Sequence, residues 1–201
     1  MKKICAAAFA AAVTVASQQP ARAHRDAPPS VPANIQVPTG NRRFLTGHAV
    51  GTQNYICLPS AASFAWTLFG PQATLFDDEA RQIMTHFASI NPAEGLSRPT
   101  WQHSRDTSSA WAQPIANSTD PAFVAPGAIP WLLLQWVGRQ EGPRGAGTLS
   151  GTTYIQRLST RGGVAPATGC ASGADVGKRS LVSYEADYFF YRERAHDRED
   201  D

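Results

Sequence analysis

Between positions 86 and 108 lie the residues with the most versatile side-chain chemistry in the chain: His86, Trp101, His103, Asp106 and Ser108. A histidine accompanied by an acid and a hydroxyl, here His86, Asp106 and Ser108, supplies the base, the orienting group and the nucleophile of covalent catalysis. His86, His103 and Asp106 form a second set, with the nitrogen and oxygen donors of a metal site. A structural reading competes with both. A histidine at a strand end commonly hydrogen-bonds its surroundings, and Asp and Ser after a tryptophan turn the chain by bonding their own backbone. His48 is a further titratable candidate, with a strand-edge role as its alternative.

The five tryptophans, Trp66, Trp101, Trp111, Trp131 and Trp136, suggest a different activity. Exposed tryptophans on a β protein stack on sugar rings or partner surfaces. Trp101 and Trp111 flank the polar segment and are the candidate binding residues, whereas Trp131 and Trp136 sit in an apolar run that reads as core. The common enzyme signatures G-x-S-x-G, H-E-x-x-H and the Walker phosphate loop are absent. Residues 142–147 are glycine-rich but lack dinucleotide-binding spacing and lead toward a β pattern, so they read as a hairpin connection. No cofactor is indicated. Asn117, Ser118 and Thr119 match a glycosylation acceptor, a weak signal.

The elements that must hold these residues are short runs of β-branched and aromatic residues bounded by Gly, Pro, Asn or Asp. Nine such runs read as strands: 53–58, 64–69, 74–76, 82–87, 99–102, 111–115, 131–137, 152–159 and 181–191. In the last, Tyr184, Ala186, Tyr188 and Phe190 alternate with Ser183, Glu185, Asp187 and Phe189, so one face meets a core. Residues 73–87 read as a hairpin around Asp77 to Ala80. The run 131–137 fits either a buried strand or a short helix by periodicity, although Pro130 and Gly138 bound a segment of strand length. Many strands joined by turns predict an all-β sandwich or barrel with little helix.

Residues 1–23 read as a signal peptide, with Lys2 and Lys3, an apolar stretch and small residues at Ala21 and Ala23. Its apolar core is shorter than the roughly 20 residues of a membrane-spanning helix, and no later segment qualifies. Beyond it, 24–41 is a Pro-rich irregular segment, 42–191 a single β domain and 192–201 a charged tail; both ends are expected to be mobile unless something pins them. Cleavage removes three of the 18 bases and none of the 16 acids, so the formal charge moves from +2 to −1. Nucleic acid is therefore not the expected partner, because that role needs a clustered basic face. Two cysteines remain, Cys57 and Cys170, and in a periplasmic or extracellular protein a disulfide between them is the simplest reading.

Several stretches in order along the chain carry a family resemblance: 51–57, 71–77, 86–87, 99–101, 129–134, 145–163 and 184–191. Within them, Thr153 to Arg157 followed by Thr160 to Gly163 is the most distinctive. The chain resembles the domain-of-unknown-function family 3455, exported proteins of bacteria and fungi. The resemblance implies no particular reaction, cofactor or partner. This chain departs from the family pattern by placing residues 89–98 between Phe87 and Pro99, and by carrying Asp106, Thr107 and Ser108 after the tryptophan. Two functions follow as expectations. One is an extracytoplasmic binding or envelope-associated protein with an aromatic surface at Trp101 and Trp111, its partner a glycan or envelope component. The other is a hydrolase-like or metal-dependent enzyme built on His86, His103 and Asp106.

Overall fold

The structure is a computed structural model and describes residues 30–61 and 63–194. Eight antiparallel strands follow one another around a closed barrel: β1 (Asn41–Ser60), β2 (Ser63–Phe76), β3 (Gln82–Asn91), β4 (Leu96–His103), β5 (Ser109–Ser118), β6 (Trp131–Gln140), β7 (Tyr154–Gly162) and β8 (Arg179–Glu193). Each strand pairs with its sequence neighbours, and β8 returns to pair with β1, placing Asp187 opposite His48. This is an up-and-down barrel, which closes the sheet and leaves no edge along the seam.

The all-β expectation holds, and of its two architectures the barrel is the one adopted. Runs 64–69 and 74–76 are a single strand, because the Gly70 and Pro71 turn signal marks an irregularity within β2, opposite a register shift at Asn54 and Tyr55. The run beginning at Trp131 is a strand. The Asp77 to Ala80 hairpin forms as expected, with Asp77 N–H donating to Arg81 O at 3.0 Å.

Alternation in β8 sets the inner wall. Tyr184, Ala186, Tyr188 and Phe190 are buried inside the barrel with Leu75, Met84, Trp101, Leu134 and Ile155. Small residues on the facing strands make room for these rings. Gly51 lies so close to Ala73 that a Cβ there would sit 2.6 Å from the alanine Cβ. The inward orientation of the apolar face is the reverse of a lipid-facing barrel, whose apolar band faces outward. No described helix is long and apolar enough to cross a membrane.

A second, smaller core lies outside the barrel over β6 and β7, where Ile35, Val124, Trp131, Leu133 and Leu158 pack together. The described part of the Pro-rich N-terminal segment, residues 30–41, is pinned here. Ile35 is fully buried, and its carbonyl accepts a hydrogen bond from Gln156 Nε2 at 2.7 Å. At one end of the barrel the β1–β2 hairpin runs past the closed region and is covered by the β7–β8 connection. Cys57 and Cys170 are joined there, with Cα atoms 5.5 Å apart across a separation of 113 residues. Such a pair is what a chain maturing in an oxidising compartment would carry.

Candidate functional site

His86 is on β3 with its side chain inside the barrel, directly across from Trp101 of β4. Their rings stack with centroids 4.2 Å apart and planes 9° from parallel, and His86 Nδ1 lies 2.9 Å from Thr100 O. Burial drives its pKa down to about 3, so the ring is neutral and its Nδ1–H donates to the carbonyl. Among the described residues no hydroxyl or carboxylate is hydrogen-bonded to it, which removes His86 as the base of a Ser108 nucleophile.

Asp106 and Ser108 do a different job. They form the β4–β5 turn, in which Asp106 Oδ1 accepts from the Ser108 N–H at 2.9 Å and from its hydroxyl at 2.6 Å. The other carboxylate oxygen accepts from the N–H and the hydroxyl of Thr148, at 2.8 and 2.7 Å. Burial alone would raise this carboxyl's pKa, but hydrogen bonds from Ser108 and Thr148 overcome it and hold the group well below the usual carboxylate range. Ser108 Oγ in turn accepts from Leu149 N–H at 3.2 Å. The pair is thus a clamp fastening the β6–β7 connection to the β4–β5 turn. A carboxylate so stabilised in its ionised form is a poor base, and Ser108 is fully buried.

His103 Nδ1 sits 3.2 Å from Asp106 Oδ1, without the alignment of a hydrogen bond. Among the described residues no three His, Cys, Asp or Glu side chains gather to hold a metal. The proposed set of His86, His103 and Asp106 is therefore not a metal centre, since His86 is spent on Thr100 and Asp106 on Ser108 and Thr148.

The aromatic surface expected at Trp101 and Trp111 is also corrected. Trp101 is 0% exposed and Trp111 5%. Trp101 points into the barrel, wedged edge-on against Tyr188 and Phe190. Trp111 donates its Nε1–H to Ser89 Oγ at 2.9 Å, and Ser89 belongs to the stretch that separates Phe87 from Pro99. That stretch is not a loop but an extension of the β3–β4 hairpin, pairing Ala88 with Pro99 through to Asn91 with Leu96.

A concave surface does exist, on the outer face of β1, β2 and β3. There a groove of about 800 Å³ is lined by two cross-strand rows, Val50–Thr74–Thr85 and Thr52–Gln72–Phe87, and by Asn54 and Phe69 at one end. Phe69 is 65% exposed. Thr52 donates its hydroxyl proton to Asn54 Oδ1 at 2.7 Å, which fixes the amide and leaves its two N–H donors uncommitted. Among the described residues no lysine, arginine or carboxylate is part of the lining, although the Arg179 guanidinium lies 5.6 Å from the centre of the Phe69 ring. It is a wall of hydroxyls, amides and phenyl rings.

A family model described as "Protein of unknown function (DUF3455)" matches residues 38–192. The chain belongs to this family. That match spans all eight strands but for Glu193 at the end of β8, and it leaves out the packed segment around Ile35. No curated protein and no solved structure matches the chain. In this DUF3455 member, stretches 51–57, 71–77 and 86–87 lie side by side around the groove. The distinctive 160–163 stretch crosses the barrel end, where Tyr55 donates its hydroxyl to Gly163 O at 2.6 Å.

Sequence reasoning singled out none of the groove side chains. Each strand of the groove reads as an ordinary alternation, and only the register that sets Thr52, Gln72 and Phe87 abreast makes a surface of them. Arg157, inside the barrel beside Tyr188, was likewise visible only as part of a motif. His48 does prove to be a paired group. Its Nδ1 is 2.6 Å from Asp187 Oδ1 and its Nε2 is 3.0 Å from Asp78 Oδ1, and the Asp78 hydrogen bond, helped by Asp187 against partial burial, raises its pKa.

Proposed function

We propose that this protein is an exported, extracytoplasmic binding protein that engages an uncharged polyhydroxyl ligand, a glycan or envelope saccharide, in the groove on the outer face of β1, β2 and β3. The reading rests on the lining: the exposed phenyl ring of Phe69, with the Arg179 guanidinium 5.6 Å from its centre, and the half-buried ring of Phe87, beside the neutral donors and acceptors of Thr52, Asn54, Gln72 and Thr85. Apolar ring faces stack on the C–H faces of a sugar, while amides and hydroxyls exchange hydrogen bonds with its hydroxyls. Charged side chains would cost more to desolvate against such a ligand. Export is supported by the signal-peptide pattern of residues 1–23, which lies outside the described residues, and by the Cys57–Cys170 pair.

The test is direct binding, by calorimetry, of soluble glycans and cell-wall fragments to the mature protein, repeated with Phe69→Ala and Asn54→Ala. Each substitution should weaken a retained glycan about tenfold, equivalent to about 1.4 kcal/mol, with the unfolding midpoint unchanged. Equal affinity in wild type and both variants, or no binding by any neutral saccharide, would count against the groove.

A further inference from the structure

Arg157 of β7 is the cross-strand partner of Tyr188 on β8 and shares its inward face. One of its donors is satisfied, Nη2 giving a hydrogen bond to Pro130 O at 2.9 Å; the guanidinium also lies near the Tyr188 hydroxyl, while its buried Nε has no aligned acceptor among the described residues. Among the described residues no carboxylate forms an ion pair with it. A guanidinium inside a barrel of aromatic rings, without a counter-charge, is a costly arrangement unless an anion completes it.

The surroundings are donors as well. Tyr184 and Tyr188 hydroxyls are hydrogen-bonded to each other at 3.4 Å, and Arg157 is close enough to both to oppose in part the rise in pKa that burial imposes on them. Burial keeps both phenols protonated, so one donates to the other and the second hydroxyl proton is left to donate elsewhere. Gln53, 2% exposed, holds its buried Nε2 near the Tyr184 hydroxyl without an aligned hydrogen bond, and the Nε1 of Trp101, which packs edge-on against Tyr188, is buried with no acceptor among the described residues. His86, neutral and engaged with Thr100, brings no negative charge. The cluster holds an excess of buried donors around one positive charge, and the two glycines Gly162 and Gly163 let the backbone close over it beside Tyr184 and Gln53.

We propose that Arg157, with Tyr188, Tyr184 and Gln53, forms an interior anion site that takes a single carboxylate-sized oxyanion, either a free ion or the head of a larger ligand. The planar guanidinium matches a carboxylate through its unsatisfied Nε. Arg157 as a residue is partly buried, although its Nε is itself covered. The inference is independent of the outer groove, which lies on the opposite face of the β1–β3 wall.

The experiment is a titration of the mature protein with formate, acetate and octanoate at constant ionic strength, with chloride as the reference salt. Thermal midpoint and the 13C signal of labelled formate are followed in wild type, Arg157→Met and Gln53→Leu. The expected result is a saturable rise of several degrees with carboxylate over chloride, together with a bound formate signal, both lost in Arg157→Met and weakened in Gln53→Leu. Response to formate and acetate alone marks a free ion, and an equal or larger response to octanoate marks a ligand head. No saturable difference from chloride overturns the site. So does an equal response in Arg157→Met, and should that variant fail to fold, absence of a bound formate signal in wild type decides the matter alone.

Discussion

Trp101 and His86, stacked at the middle of the barrel, are where the energetic weight of single residues is greatest. Replacing Trp101 with alanine empties a space in a sealed interior, and the expected loss is about 3–5 kcal/mol of unfolding free energy in urea. Phe69→Ala, on the outer surface, should change it by no more than about 0.5 kcal/mol. A Trp101→Ala protein of near wild-type stability would contradict the burial described above. His86 adds a pH dependence. Its folded pKa, about 3, is below its unfolded value, so its stabilising contribution is complete above about pH 6.5 and is lost as the pH falls toward 3. The urea midpoint of wild type should fall on acidification below about pH 6.5, with a slope of at most about 1.4 kcal/mol per pH unit from this group. In His86→Phe, which keeps an aromatic ring on Trp101, that part of the slope should vanish.

Between elements, His48 and the glycines of the β7–β8 connection are the sensitive points. His48 ties β1 to β8 through Asp187 and to the β2–β3 turn through Asp78. Because its folded pKa is raised, its contribution is fully present below the unfolded value of about 6.5 and is lost as the pH rises through the folded value. Its window therefore lies above that of His86, and the two separate in one pH series. His48→Gln should flatten the decline in stability above about pH 6.5 while leaving the acid side unchanged. At Gly162, φ is 63° and a Cβ would stand 2.6 Å from the Ser183 carbonyl oxygen. Gly162→Ala should cost more than about 1 kcal/mol, through both the left-handed backbone and that clash. A neutral substitution, measured by thermal unfolding, would mean the connection is free to move. The same geometry accounts for Thr160 to Gly163 being so distinctive in the sequence: the chain must leave β7, bridge Ala128 at Gly163 and pass over the barrel end in very little space.

Across the whole molecule, closure of the barrel and the Cys57–Cys170 link hold distant parts of the chain together. The disulfide fastens the overhanging β1–β2 hairpin to the long connection that covers it. For a closed loop of this length, constraint of the unfolded chain gives about 4–5 kcal/mol. Reduction, or Cys170→Ala with Cys57→Ala, should lower the unfolding midpoint accordingly, and a midpoint insensitive to reductant would show that the packing of Phe64 and Trp66 against residues 168–173 suffices by itself. Both binding surfaces depend on this scale. The outer groove needs β1, β2 and β3 in register, and the interior cluster needs β7 and β8 brought back against β1.

The all-β class, the β2–β3 hairpin at Asp77 to Ala80, the inward face of β8 and the cysteine pair were all legible in the sequence. Each follows from something local or exclusive: a period of two, turn residues flanked by apolar runs, or two cysteines with no other partner beyond Cys5. Tertiary structure alone decided the fate of the candidate site residues. Local polarity around Trp101, Trp111 and Ser108 resembled an exposed loop, yet closure of the barrel turned Trp101 inward, and Thr148 and Leu149, about 40 residues further on, folded back to bury Ser108. Conversely, Val50, Thr52, Gln72 and Phe87 became a surface only through cross-strand register. Hydrogen bonds between strands are set by neighbours along a hairpin, whereas which face becomes interior is set by the meeting of β1 and β8, whose partners His48 and Asp187 stand 139 residues apart.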